Sequence, residues 1–512
     1  MTDFSYPLRV AAEKYPDNPA LIFRDRAVSY AELDAATDVL ASALYERGLS
    51  GRRVVVLLLN EPETIMVYLA LARIGAVNVP VNTRLSVDEK AFIVENAGAS
   101  AMIADAEFAS EGRELLSRQP TLETLIIANA PAGLPECDRL EDLFAYDGPS
   151  LSLDVSATSV ASIIYTSGTS GFPKGAMRSH ESNLWACVNA ALGQPRSPAD
   201  VEVFALPVFG IGFFLQLMPT LLAGGTIVLD RVFDPKQTWV QLERYRATRV
   251  FLAPTMINSM LAIEEHEMYD VSTLHTLNTA YEFPERVRTR AIERFGDIFV
   301  YMYGLTEAQL CCSAPGEFAH DPSSAGRPMG LMRVRIVDDA RQPLPTGVVG
   351  EISFSGPSLM VGYHDLPEAT ADALDEGWLY TGDLGYLDEH RNLHFAGRKK
   401  EIIKTGGFSV DPVEVENVIL QFPGVLEAAV VGIPDEHWGE AIIAFVVTPK
   451  DDQQGADIDA YLRTRVADFK RPKRYRFISE LPKNPTGKIE RARLRSLAAL
   501  EGESSTSDSP ER

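Results

Sequence analysis

The sequence predicts an α/β fold, with a large N-terminal region of βαβ units followed by a smaller α+β domain. Three observations carry that prediction. Helix-start signals alternate with short apolar runs through the first hundred residues, as crossover units on a parallel sheet require. A length of 512 residues allows about three folding units at roughly 150 residues each. Near residue 387 the chain turns abruptly polar and basic, which separates the two parts. With 46% hydrophobic and 23% charged residues, the chain has the apolar surface for a sizeable core and no collagenous or disordered bias in its bulk.

The elements follow in chain order. Ser29 and Glu32 are spaced as a capping box: the serine oxygen can accept from the third helical N–H while the glutamate reaches back to the cap. A helix is expected from there to Gly48, then a buried strand at 54–59, a helix at 64–73 that stops at Gly75, and a strand at 77–81. Ser86 and Glu89 repeat the capping box before a helix ending near Gly98, and 101–104 begins the next strand. The segment 203–229 carries no charge and exceeds the about 20 residues that cross a bilayer. Pro207, Gln216, Pro219 and the pair Gly224-Gly225 interrupt it, so it reads as strand, loop, short buried helix and strand of a soluble interior. After the basic stretch, a helix at 413–420 and strands at 428–431 and 441–447 suffice for a domain of about 100 residues. The Ser-rich, acidic tail at 501–512 is expected to be disordered.

Composition also bounds function. Lys and Arg number 48 against 71 Asp and Glu, a formal charge of −23, which argues against a general nucleic-acid partner because phosphate contacts need a cationic surface. Cys137, Cys187, Cys311 and Cys312 have neither metal-site spacing nor a disulfide framework, so they read as structural or pocket-lining thiols in a reducing compartment. The N-terminus lacks a basic region before an apolar core, so a cytoplasmic protein without a transmembrane segment is expected.

The stretch 165–175 concentrates chemistry. Thr166, Ser167, Thr169 and Ser170 alternate with Gly168, Gly171 and Gly175 after an apolar strand at 160–164, and Lys174 adds charge. Backbone N–H groups and hydroxyls in such a loop can surround a polyphosphate. It is not a Walker A loop, since no Gly-Lys-Ser/Thr opens a helix. Taken alone, a Gly/Ser/Thr-rich stretch is more often a plain polar loop.

Five further motifs follow in order: Tyr303-Gly-Leu-Thr-Glu307, Gly350-Glu-Ile through Gly362-Tyr363, Tyr380-Thr-Gly-Asp-Leu-Gly385, Gly397-Arg-Lys-Lys-Glu-Ile-Ile-Lys404 and Pro485-Thr-Gly-Lys488. With the first, this set resembles the adenylate-forming superfamily, which includes acyl-CoA synthetases, adenylation domains of peptide synthetases and firefly luciferase, over nearly the whole chain. The resemblance implies a small barrel-like part within the large domain (1–397), a hinge at 398–404, and a mobile C-terminal domain at 405–500. It implies ATP, Mg²⁺ and coenzyme A as reactants. A carboxylate would attack the α-phosphate of ATP to give acyl-AMP and pyrophosphate, and CoA would then take the acyl group. Charge building on the phosphate oxygens needs preorganised donors, cations and a metal ion.

By the same resemblance, Glu307 would bind Mg²⁺, Thr306 would hydrogen-bond the α-phosphate, and Tyr303 would stack on adenine beside Thr279, Ala280 and Tyr281. Asp383 would accept both ribose hydroxyls with Arg398 nearby, and Lys488 would bridge the carboxylate and α-phosphate. Lys400 would be the hinge about which the small domain turns, bringing Lys404, Gly406 and Gly407 to the pantetheine arm of CoA.

Two departures bear on the substrate. Gly210 stands where relatives often have a histidine after Leu-Pro, and Met302 stands where glycine is frequent; 279–284 also departs from the Gly-rich pattern. The acyl pocket is expected from Phe209, Gly210, Phe213, Phe214, Leu217, Met302, Gly304, Leu310 and Cys312, although the same residue types also pack cores. Neither Asp nor Arg stands in 208–216, which argues against amino acids and short dicarboxylates. An apolar fatty, alicyclic or aromatic acid is expected. The alternatives are a stand-alone enzyme that loads an acyl carrier protein, an inactive nucleotide-binding regulator, and a luciferase-type oxygenase; an oligomer is compatible with the sequence. Basic runs at 398–404, 470–476 and 483–495 sum to +3, +5 and +4, a local cationic surface suited to phosphorylated small molecules.

Overall fold

The computed structural model describes all residues except 1–2, 132–136, 152, 167–172, 281–284, 314–315, 400, 407, 436–437, 449–454, 484–488 and 501–512, together with the side chains at 309, 310, 312, 409, 456, 499 and 500. The expected disordered tail lies outside the described residues. The chain divides into two compact units. The first comprises Met1–Arg335, Ser353–Thr381 and Asp388–Leu393; the second comprises Ile336–Ile352, Gly382–Leu387 and His394–Arg512.

Two large sheets build the first unit. One has eight strands, with Arg53–Leu57 flanked by Val77–Pro80 and Ala101–Asp105, all parallel, and Thr124–Ala128 parallel beyond. The crossover helices that make this arrangement possible start where the sequence places them. Both capping boxes form, Ser29 ahead of the helix Tyr30–Glu46 and Ser86 ahead of Val87–Ala97. Gly98 ends the second helix at φ +58°, and Gly75 follows Pro62–Arg73 at φ +65°, a backbone conformation that favours glycine. Pro62–Arg73 is buried on every face, which explains its nearly unbroken apolar sequence. Its terminal Arg73 is buried too, paired with Asp34 and Asp38 and donating to Ser5 Oγ at 3.1 Å.

The other sheet has nine strands. Val201–Phe204, Arg249–Phe251, Thr276–Ala280 and Phe299–Leu305 run parallel in adjacent positions, and Ala308–Cys312 returns antiparallel beside the last. The uncharged segment resolves as expected into the strand Val201–Phe204, a π-helical turn Phe213–Leu217, the short helix Met218–Leu222 and the strand Thr226–Leu229. Among the described residues no helix is long and apolar enough to cross a membrane. Cys187 is fully buried and burial pushes its thiol up to about 12, so it packs as a small hydrophobe.

A third sheet orders Arg333–Val337, Gly350–Ser355, Trp378–Leu387 and Leu374–Asp375, with Leu393–Arg398 paired to Trp378–Leu387. It is the smaller, barrel-like part of the architecture. The second unit carries the α+β domain: Glu427–Asp435 pairs antiparallel with Gly439–Val447 over nine residues of each strand, and the helix Pro412–Leu420 packs its Val415 and Ile419 into the core beside Val430 and Ile442.

Candidate active site

The first candidate loop is held at its two ends. Strands Val160–Thr166 and Lys174–Ser179 pair antiparallel and close on Thr166 opposite Lys174, with Thr166 Oγ1 3.4 Å from the Lys174 carbonyl. Ser167, Gly168, Thr169, Ser170 and Gly171 lie between them, outside the described residues. The second is a hairpin turn. Phe299–Leu305 and Ala308–Cys312 pair antiparallel, which leaves Thr306 and Glu307 at the turn, half-buried. On the ascending strand Tyr303 is half-buried with its ring 6.2 Å from Phe354, Gly304 is exposed, and Met302 is buried.

Two residues without a role assigned from sequence join these pieces. Arg178, on the strand leaving the loop, is fully buried. Its guanidinium donates to the Thr306 carbonyl at 3.0 Å, the Ser358 carbonyl at 3.1 Å, the Ser182 carbonyl at 3.1 Å and Asn183 Oδ1 at 2.7 Å. The planar fork suits this four-way tie, and desolvation, opposed by Glu307, lowers the guanidinium to about 10. Tyr363 is the second. Its hydroxyl donates to Glu307 Oε1 at 2.8 Å while Lys174 Nζ lies 4.9 Å from its ring centroid, a cation–π distance. Burial first, and then the Glu307 carboxylate, raise the Tyr363 phenol, so it stays protonated and remains a donor. The Glu307 carbonyl also accepts from Met360 N at 2.8 Å. Lys174 and the Thr306-Glu307 turn, far apart in sequence, thus meet at one place through Tyr363. The signal available for Tyr363 was its position inside a recognised motif; a buried arginine inside a strand gave none.

In the second unit, Asp383 is buried and Arg398 Nε lies 3.2 Å from its Oδ1. Lys404 is exposed, and its backbone N–H donates to Glu440 Oε2 at 2.5 Å. Gly406 sits at φ +56°, and a Cβ there would come within 3.1 Å of the Trp438 ring, so glycine is needed on both counts. Tyr281, Lys400, Gly407 and Lys488 lie outside the described residues, as do the side chains of Leu310 and Cys312. Among the described residues no group of three or more His, Cys, Asp or Glu could hold a metal by itself.

The expected acyl-pocket residues divide. Phe209 and Gly210 are partly exposed, and a Cβ on Gly210 would meet nothing closer than the Pro207 carbonyl at 3.6 Å. Phe213, Phe214 and Leu217 instead belong to the main core, where the Phe213 ring stacks edge-on to Tyr68 at 4.9 Å and Phe214 lies 5.2 Å from Phe4. Met302 packs with Val300, Met329, Phe251 and Ala280. Thr279 is fully buried, and among the described residues its Oγ1 has no hydrogen-bond partner.

Beside Met302 the sheet face turns polar. Parallel register puts Glu202 beside Arg249, Arg249 beside Thr276, Phe251 and Val300 beside Asn278, and Met302 beside Ala280, so these residues share one face. The segment after the helix His180–Gly193, the π-helical turn and the short helix Met218–Leu222 bring Gln194 and Arg196, Gln216, and Thr220 against it. Asn278 Nδ2 donates to Gln216 Oε1 at 2.9 Å, and Arg249 donates to Gln194 Oε1 at 3.0 Å. Arg196 lies 3.8 Å from Glu202, both fully buried, and Thr220 donates to Glu202. No sequence signal assembles this set, because its members come from six separated segments.

Comparison with known proteins places the chain in a family. The profile of the AMP-binding enzyme family matches residues 8–364, and that of the AMP-binding enzyme C-terminal domain matches 414–488. A feruloyl-CoA synthase of Amycolatopsis sp is 36% identical over 96% of this chain and 98% of its own length. A fatty acid–acyl-carrier-protein ligase of Streptomyces coeruleorubidus, ScoC, is 32% identical over 94% of each chain. Among solved structures, the anthranilate CoA ligase AuaEII in complex with anthranoyl-AMP superposes with a TM-score of 0.89, at 25% identity and 98% coverage of both chains.

Proposed function

The chain belongs to the AMP-binding enzyme family, and on that premise we propose how its residues carry out the reaction. It is an AMP-forming acyl-CoA ligase: acid and ATP give acyl-AMP and pyrophosphate, then acyl-AMP and CoA give acyl-CoA and AMP. The acid is of the apolar kind, fatty, alicyclic or aromatic. The observation that carries the residue assignments is the bridge through Tyr363, which sets Lys174 and the Thr306-Glu307 turn around one place.

In this reading the backbone and hydroxyls of 167–171 cradle the β- and γ-phosphates, with Thr166 and Lys174 at the ends of the loop. Thr306 donates to the α-phosphate, and Tyr303 stacks on adenine next to Thr279, Ala280 and Tyr281. Glu307 suits Mg²⁺: it is a hard oxygen donor, and one protein carboxylate with substrate phosphates is the usual cage for that ion. Bound there, the ion would neutralise charge on the transferring phosphates. Arg178 keeps the turn in place and Tyr363 orients the carboxylate, so these donors are preorganised before charge develops. Asp383 and Arg398 hold the ribose. Lys488 supplies a cation between the acid carboxylate and the α-phosphate. Rotation at 398–404, about Lys400, then exchanges that lysine for Lys404, Gly406 and Gly407, whose small backbone admits the pantetheine arm.

The domain boundaries proposed are 1–397, 398–404 and 405–500. A carrier protein is the alternative acceptor, supported by the likeness to ScoC, because it presents the same arm. Acid-dependent AMP release with and without CoA tests the assignment: release that CoA does not accelerate, but a carrier protein bearing a free pantetheine thiol does, favours the alternative.

A further inference from the structure

Three buried primary amides meet beside Met302, and their orientations are fixed by their other partners. Gln216 Oε1 accepts from Asn278 Nδ2 at 2.9 Å and from Arg196 at 3.3 Å, so its nitrogen must point the other way. That nitrogen lies 3.4 Å from Met302 Sδ. Gln194 Oε1 accepts from Arg249 at 3.0 Å, which turns its nitrogen toward the same sulfur, at 3.6 Å. Because Asn278 spends its nitrogen on Gln216, its Oδ1 is turned away from that bond; Asn278 is fully buried, and among the described residues this oxygen has no partner.

Two amide donors thus converge on a thioether, which is a weak acceptor, and on the same sheet face Asn278, paired with Val300 two residues before Met302, keeps an acceptor without a donor. Buried polar groups in native proteins are nearly always satisfied, so this arrangement fits a ligand better than it fits itself. The missing group must accept from two amides and donate to one oxygen, which a hydroxyl does and a carbonyl, ether or methyl does not. A second carboxylate is disfavoured by charge: Arg196 lies 3.8 Å from Glu202, and Arg249 is within electrostatic reach of Asp200, so a further anion would be unbalanced. Met302 is unbranched with three rotatable bonds, so it can yield the space. At about 3.3 Å per strand residue, Met302 stands roughly 13 Å from Thr306, the length of a medium-sized acid.

Resting on the ligase reading, we propose that the preferred acid carries a neutral hydroxyl at the end remote from its carboxylate, and that Gln216, Gln194 and Asn278 recognise it. The test compares kcat/KM for pyrophosphate release on acids matched in shape: para-hydroxycinnamate against para-methylcinnamate and cinnamate, and a medium-chain omega-hydroxy alkanoate against its omega-methyl counterpart. At least one hydroxy acid should exceed its methyl isostere by about tenfold or more, since a site built to bond a hydroxyl rejects the analogue lacking it. In Gln216→Met that ratio should collapse toward one, and Gln194→Met gives the same reading if the first variant does not fold. Methyl isosteres turned over as well as hydroxy acids by the unaltered enzyme, or a keto analogue preferred to both, overturn the inference and leave the ligase assignment standing. If no acid supports pyrophosphate release, the ligase reading falls and takes the inference with it.

Discussion

Replacing Arg178 with methionine keeps the reach of the side chain and removes its donors. Three buried acceptors, the Ser182 and Ser358 carbonyls and Asn183 Oδ1, would be left without their partner. At about 1–3 kcal/mol each, the gross cost is about 3–9 kcal/mol. Relief of the desolvated guanidinium, lowered from 12.5 to about 10, returns on the order of 3 kcal/mol. The net loss is then roughly 3 kcal/mol, several degrees in the thermal midpoint. The larger expectation concerns catalysis. With its tie to the Thr306 carbonyl gone, the Thr306-Glu307 turn is no longer fixed against the helix His180–Gly193, and misplacement by about 1 Å is enough to cost about 100-fold in rate. The assay is acid-dependent pyrophosphate release well below both midpoints, with Arg178→Lys as a control that keeps charge but lacks the planar fork. A lowered midpoint with kcat/KM within about twofold of the unaltered enzyme would refute the positioning argument and leave Arg178 purely structural.

The remaining expectations separate stability from each half-reaction. Asp230 accepts from Gln241 at 2.7 Å and Thr238 at 3.3 Å, yet desolvation, with Asp234 adding like charge, raises its carboxyl from 3.8 to about 6. A carboxyl that holds its proton more tightly folded than unfolded contributes stability below pH 3.8 and loses it as the pH rises through about 6. Asp230→Asn should therefore raise the thermal midpoint at pH 8 and hardly change it at pH 4; equal shifts at both would contradict the assignment. Gly406→Val imposes a β-branched side chain at φ +56° against Trp438, and should slow thioester formation from supplied acyl-AMP while adenylation persists. Lys488→Ala should do the reverse, lowering adenylation by about 100-fold or more as a lost transition-state cation would; equal losses in both half-reactions would sink the exchange of roles.

What could be read from the sequence follows the range of the interactions involved. Capping boxes at Ser29 and Ser86, the glycine stops at 75 and 98, and the interruption of 203–229 are local, and each element stands within a few residues of its expected place. The phosphate loop and the Thr306-Glu307 turn were visible because their chemistry is compressed into short motifs. Arg178 was not, and Tyr363 stood only at the end of a motif with no role attached, since their importance comes from what they touch across the fold. Phe213 and Phe214 show the converse difficulty. Periodicity marks an aromatic as buried and is silent on what buries it, and here Phe4 from the N-terminal segment and Tyr68 fill that role.

Charge illustrates the same limit with a consequence for binding. The basic runs at 470–476 and 483–495 suggested a cationic face, but several of their charges are already committed: Lys470 bonds Glu414 at 2.6 Å, Arg471 reaches Asp459 at 2.6 Å and also Asp468, Lys483 pairs with Glu427, and Arg491 joins Glu416 to Glu401. Summed over sequence these residues are strongly positive; in space, much of that field is cancelled within a few ångströms. Long-range attraction of ATP and CoA by this domain is correspondingly weak, and affinity must come from contacts made at the site. Association rates with ATP should then depend only mildly on ionic strength, far less than for an electrostatically steered encounter. Stopped-flow binding across a salt series measures this directly, and a steep fall in on-rate with salt would show that the unscreened runs, and not the local site, govern capture.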